Sequence, residues 1–159
     1  MKALRLTTLL VWPLLTATAW SQDDVAARYS DPVPGKPLCT LKIHVTGFRT
    51  DKGSAGGAVY ASPAGWPEDI KKAIVDGDFP IRGDQATEEF RIPPGRYAVV
   101  AIHDVKSDGK LERNFLGVPI EGFGFANNPR VLLTAPSFEK AAVNVSCPVT
   151  QIDIRLIHK

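Results

Sequence analysis

Pro93-Pro94-Gly95-Arg96-Tyr97-Ala98-Val99-Val100-Ala101-Ile102-His103-Asp104 contains the most strongly patterned strand in the chain. Successive side chains of a strand point to opposite sides, so Tyr97, Val99 and Ala101 share one face and Ala98, Val100 and Ile102 the other. Both faces are apolar, which predicts a central strand covered on both sides. Pro94-Gly95 ahead of it reads as type II turn chemistry, because proline presets φ and glycine accepts φ > 0. The strand runs directly into residues 103–125, a connection too long for a simple turn and too aromatic for disorder.

On the N-terminal side, Glu89-Phe90-Arg91-Ile92 starts the strand before the turn. Earlier still, Cys39, Leu41, Ile43 and Val45 alternate with Thr40, Lys42, His44 and Thr46, the pattern of a half-buried strand ended by Gly47. Thr50-Asp51-Lys52-Gly53-Ser54 is a turn, and Gly57-Ala58-Val59-Tyr60-Ala61 is a second strand stopped by Pro63. Trp66 to Val75 is the helical candidate: Pro67 suits the first turn, Glu68 and Asp69 favour the positive end, and Ile70, Ala73 and Ile74 share a face. Asp76-Gly77-Asp78 ends it.

On the C-terminal side, Arg130-Val131-Leu132-Leu133 is followed by two alternating runs. Val143, Val145 and Cys147 form one, and Ile152, Ile154 and Leu156 the other. They read as two antiparallel strands joined around Pro148. The expected fold is mainly β: a single antiparallel β-sandwich of transthyretin- or immunoglobulin-like type, with six to seven strands and one short helix, over residues 38–159. There is no internal repeat, and 44% hydrophobic content in 159 residues suffices for one core.

The N-terminus reads as a signal peptide over 1–21. Lys2 and Arg5 precede the apolar stretch from Leu6 to Leu15, and Ala17-Thr18-Ala19 or Ala19-Trp20-Ser21 offers a small-residue cleavage site. The apolar stretch is too short to span a bilayer. Residues 22–37, rich in Asp, Pro and Gly, read as a flexible segment. With Lys2 and Arg5 removed, 17 basic residues face 17 acidic ones. A neutral surface without a Lys/Arg stripe argues against nucleic acid and anionic membrane as partners. Periplasmic or secreted localisation follows, without membrane insertion after signal cleavage. An oxidising compartment lets Cys39 and Cys147, the only cysteines, form a disulfide; the alternative is two buried free thiols.

The 103–125 connection holds the candidate binding residues His103, Asp104, Asp108, Glu112, Glu121, Phe123 and Phe125. Asp104, Asp108 and Gly109 occupy the first, fifth and sixth places of a calcium-type loop, where short oxygen ligands alternate around a tight turn. In that reading Asp104 and Asp108 give carboxylates, Lys110 a backbone carbonyl and Glu112 a further oxygen. Lys106 stands where oxygen is wanted, and its ammonium could pair with both aspartates in place of a cation. The aspartates would then be turn formers. A hydrolase could use Asp104, Asp108 and Glu121 with His103 as proton shuttle, yet no nucleophile elbow surrounds Ser107. His44, His103 and His158 lack metal-ligand spacing, and His103 is expected to hydrogen-bond within the loop. Phe115, Leu116, Val118, Phe123 and Phe125 read as a lid closing the sandwich. Left exposed, some of them would make a docking surface with Trp66.

Three groups of residues resemble the bacterial family labelled domain of unknown function 2141. They are Pro93-Pro94-Gly95-Arg96-Tyr97-Ala98; His103-Asp104 with Gly109-Lys110-Leu111; and Phe115-Leu116-Gly117-Val118-Pro119 with Glu121-Gly122-Phe123-Gly124-Phe125. The family pattern His-Asp-x-Asn-x-Asn-Gly-x-Leu-Asp is altered here at Lys106, Asp108 and Glu112. The Pro-Pro-Gly-x-Tyr corner also resembles transthyretin-like sandwiches of carboxypeptidase regulatory domains. The resemblance implies an exported β-sandwich and supplies no catalytic residues or cofactor. The expected function is a non-catalytic module that binds a protein or small-molecule ligand through the 103–125 loop. The alternatives are a calcium-binding domain and a hydrolase.

Overall fold

The computed structural model describes residues 37–132 and 134–159. The expected signal peptide, and the expected flexible segment up to residue 36, lie outside the described residues. In chain order the strands are β1 (Cys39–Thr46), β2 (Ser54–Tyr60), β3 (Val75–Phe79), β4 (Gln85–Ile92), β5 (Gly95–Asp104), β6 (Phe123–Phe125), β7 (Ala142–Val145) and β8 (Val149–Arg155). One short helix, α1 (Phe138–Ala141), precedes β7.

The alternation of β1 is realised directly: Cys39, Leu41, Ile43 and Val45 are fully buried and the residues between them are half-buried. β1 is the centre of a three-stranded sheet in the order β4-β1-β8. The second sheet runs β3-β2-β5-β6, with β7 also paired to β5. β7 takes Gly95 to Ala98 and β6 takes Val100 to Ile102, so the two lie end to end along one side of β5. Leu41, Ile43, Ile92 and Ile154 of the three-stranded sheet and Ala55, Val59, Phe79 and Val99 of the five-stranded sheet are all buried. Gly124 is required there, since a Cβ at this position would stand 2.7 Å from Ile154 Cγ2.

β5 is covered on both faces, as its two apolar faces demand. One face packs on the three-stranded sheet. The other carries a separate buried cluster of Ala58, Tyr60, Ala98, Phe123, Phe125, Phe138, Ala141 and Ala142, with Trp66, Val100, Leu111 and Val131 packed against it. The molecule is therefore a sandwich with a third layer, and that layer is built from irregular chain and α1.

Several expectations need correction. The helix over 66–75 is only a 3-10 turn at Ile70–Lys72, and Val75–Phe79 is a strand on the edge of β2. Ile70 and Ile74, the supposed buried face, are exposed; pairing with β2 outweighs a short amphipathic pattern. Pro94-Gly95 is no type II turn, because Gly95 lacks positive φ. The corner instead carries the chain from one sheet to the other. A Cβ on Gly95 would fall 2.9 Å from the Tyr97 hydroxyl, which donates to the Pro93 carbonyl at 3.0 Å. The last two strands do not pair with each other as an antiparallel hairpin: β7 joins β5, and β8 lies parallel to β1. Cys147 sits past the end of β7 and is exposed.

Candidate functional site

Strand register lays out the outer face of the five-stranded sheet in rows. Asp78, Gly56, Ile102 and Phe123 are successive partners in one row, and Asp76, Ala58, Val100 and Phe125 in the next. Gly56 matters here because a Cβ would meet Ile102 Cγ1 at 2.9 Å and Asp78 Oδ1 at 3.4 Å. Without it, the apolar and acidic side chains close over the strand. These rows form the floor of a cavity of about 1040 Å³. Pro67 and Ile70 stand on one wall, the 108–119 segment on another, and Leu132 with Ala135 on a third. Pockets of this order, apolar with a few polar groups, are the usual form of small-ligand sites.

The 103–125 loop is held by its own acids. Glu121 is buried, and its carboxylate accepts the Val105 N–H at 3.0 Å and the Glu112 N–H at 2.8 Å. Asp104 is fully buried and Oδ2 accepts the Gly109 N–H at 2.5 Å, while Asp108 Oδ1 accepts the Lys110 N–H at 3.1 Å. Ser107 and Gly109 take positive φ, as the tight turn between these acceptors requires. Asn114 Oδ1 accepts the N–H groups of Leu116 and Val118, and Arg113 reaches from the Gly117 carbonyl to Glu68 Oε1 at 3.0 Å.

Two expectations about individual side chains change. Lys106 does not bridge Asp104 and Asp108; its ammonium pairs with Glu112 at 3.0 Å, which raises its pKa. His103 bonds outside the loop: its Nε2–H donates to the Lys52 carbonyl at 2.9 Å, and its ring stands edge-on to Phe48. The suggested calcium donors Asp104, Asp108, Lys110 and Glu112 are not gathered as a donor set. Among the described residues, no group of three or more His, Cys, Asp or Glu side chains is placed to hold a metal ion. The carboxylates of Asp104, Asp108 and Glu121, named for hydrolysis, each accept backbone N–H groups.

The aromatics divide. Phe123 and Phe125 are buried in the outer cluster, whereas Phe115 is 94% exposed and Leu116 71%. Trp66 belongs with the buried group, against Tyr60, Phe125 and Phe138, and its Nε1–H donates to the Pro136 carbonyl at 2.8 Å. Sequence reasoning missed Asp76, Asp78, Gly56 and Ala58 as cavity residues. The available signal was the second apolar face of β5, which needs a partner layer and so a place for a gap.

Asp78 stands at the edge of the cavity floor. Its carboxyl is pushed up, first by partial burial and then by the charge of Asp104, with the nearby Ser54 hydroxyl acting the other way. Asp104 Oδ1 and Ser54 Oγ are both buried with no hydrogen-bond partner among the described residues. The disulfide joins Cys39 to Cys147 with Cα atoms 4.6 Å apart. No helix among the described residues is long and apolar enough to cross a membrane.

The family model described as "Uncharacterized protein conserved in bacteria (DUF2141)" matches residues 43–153. No curated protein and no solved structure matches the chain.

Proposed function

The chain belongs to the DUF2141 family of bacterial proteins, and from that premise we propose an exported, non-catalytic module that binds a small ligand with a sizeable apolar part. The ligand lies between the 103–125 loop and the outer face of the five-stranded sheet. The observation that carries this reading is the cavity of about 1040 Å³ floored by Gly56, Ala58, Val100, Ile102, Phe123 and Phe125. Its floor is rigid, because the strands beneath it are paired on both sides of β5. Its walls are loops, the usual place for recognition on a fixed scaffold. The Cys39–Cys147 bridge and the N-terminal leader pattern support export.

The test uses N-phenyl-1-naphthylamine, an uncharged probe that fluoresces in apolar surroundings. Saturable binding at one site per chain is expected, and Val100→Trp, which fills the floor, abolishes it while far-UV circular dichroism stays unchanged. Probe binding that survives this substitution in a folded variant would remove the cavity from consideration.

A further inference from the structure

We infer that the protein has a second binding site, for a small organic acid whose carboxylate or phosphate group is held by Arg130 and Arg155. The site is a cavity of about 280 Å³ between β6, residues 128–131 and the end of β8. Phe125, Pro129, Val131 and Ile157 line it together with the two arginines and Asn128. It shares only Phe125 and Val131 with the larger cavity, so its ligand is independent of the one proposed above.

The two arginines come from separate segments of the chain, and one side chain brings those segments together. Asn128 takes a left-handed backbone conformation, with φ 46°, and turns its amide onto β8. Its Oδ1 accepts the Arg155 N–H at 2.7 Å, and its Nδ2–H donates to the Asp153 carbonyl at 2.8 Å. Asparagine is among the few residues that enter this conformation readily. The clasp fixes residue 128 on the strand, and the stiff Pro129 carries the chain on to Arg130. Behind the site, Ile157 and Phe123 exchange backbone hydrogen bonds at 2.7 and 3.1 Å. The Lys159 ammonium braces the Val131 carbonyl at 3.0 Å. The recess is thus organised before any ligand arrives, which lowers the cost of binding.

Among the described residues neither arginine belongs to an ion pair, and no Asp or Glu lines the cavity. Asp153 shares a strand face with Arg155, but its carboxylate pairs with His44 at 2.9 Å. A recess lined by one sign of charge concentrates the opposite ion. Guanidinium forks match the oxygens of a carboxylate or phosphate two at a time. Both arginines are exposed, so such a group reaches them without any movement of the fold. The apolar side chains offer nothing to a bare inorganic ion, and suit a ring or short hydrocarbon body. A cavity of roughly 150 Å³ already admits benzene, so this one has room for a ring with its acid group.

Isothermal titration calorimetry at low ionic strength tests the inference, with benzoate, phenyl phosphate and benzyl alcohol as probes. One of the two acids is expected to bind at least about tenfold more tightly than benzyl alcohol, the weight of one hydrogen bond to a charged group. Whichever acid is tighter identifies the group as carboxylate or phosphate. The double variant Arg130→Gln, Arg155→Gln should lose the preference with far-UV circular dichroism unchanged. Arg130→Gln alone should weaken it, should β8 not tolerate the second change. Lys71→Gln with Lys72→Gln removes the same charge from exposed residues outside the cavity and should leave the preference intact. No preference for either acid over the alcohol, a preference that survives loss of both arginines, or one lost equally in the lysine variant overturns the site.

Discussion

The chain has three histidines, and the fold gives each a different acceptor. His158 Nε2 donates to the Gly47 carbonyl at 2.8 Å, and His103 Nε2 to that of Lys52. His44 sits on the polar face of β1 with Nδ1 2.9 Å from Asp153 Oδ1 and Nε2 2.9 Å from Gln85 Oε1. Both partners accept, so only the doubly protonated ring satisfies both. The His44 pKa is accordingly raised, by the Gln85 bond first and Asp153 next, against some burial and the charge of Lys42. A histidine whose pKa is higher in the folded state contributes stability that is complete below about 6.5, its ordinary value. That contribution fades as pH rises through the folded value. His44→Ala should therefore cost more at pH 5.5 than at pH 8.5, by roughly 0.5 kcal/mol or less because the pair is solvent-screened. Urea unfolding at both pH values measures this, and equal costs would show that the ring carries no linked proton. The polar placement of His44 was readable from alternation alone. The partner of His103 was not, because it depends on β5 continuing in register to Asp104, which puts residue 103 on the inner face.

Residues 103–125 were recognisable as one unit by length and composition, and so was the burial of Phe123 and Phe125. Two things were hidden. Phe123–Phe125 is a strand only because Val100 to Ile102 offers an unpaired edge, and three residues carry no period of their own. The acids looked like a donor set because alternating oxygens occur equally in ion sites and in turns that cap their own N–H groups. Glu121 shows which use prevails: it fastens residues 105 and 112, sixteen and nine positions upstream. Similarly, the 66–75 pattern suited a helix, and the pull of the β2 edge on Val75–Phe79 came from residues far away in sequence. Glu121→Ala leaves two loop N–H groups without their carboxylate and should cost about 2–3 kcal/mol. Hydrogen exchange at the Val105 and Glu112 amides should accelerate selectively in this variant. Unchanged protection at both would mean that the loop is held from elsewhere.

The sandwich class followed from short alternating runs, yet the pairing of the two chain ends did not. β8 lies parallel to β1, an arrangement that no local spacing announces, since it depends on how the chain crosses between sheets. Glu88 illustrates a related point on the opposite edge. It is the register partner of Ile43 on the inner row of β4, and burial pushes its carboxyl up; a charge pointing inward on an edge strand discourages further strand addition. The disulfide lies where β1 begins. Cys39 begins β1 in the three-stranded sheet, and Cys147 follows β7 of the five-stranded sheet, so the bridge links the two sheets across 108 residues of sequence. The Thr40 N–H donates to the Pro148 carbonyl at 2.9 Å beside it, fixing where β8 starts. Closing so long a loop restricts the unfolded chain and is worth up to roughly 4–5 kcal/mol. The β1–β8 ladder and both sheet interiors persist without it, so the double variant Cys39→Ser, Cys147→Ser should fold with unchanged far-UV circular dichroism and unfold at a lower denaturant midpoint. Its m-value should rise, because the uncrosslinked denatured chain exposes more surface. Reduction of the parent protein should reproduce both shifts. An unchanged midpoint in the variant would mean that the β1–β8 ladder alone holds the chain ends together.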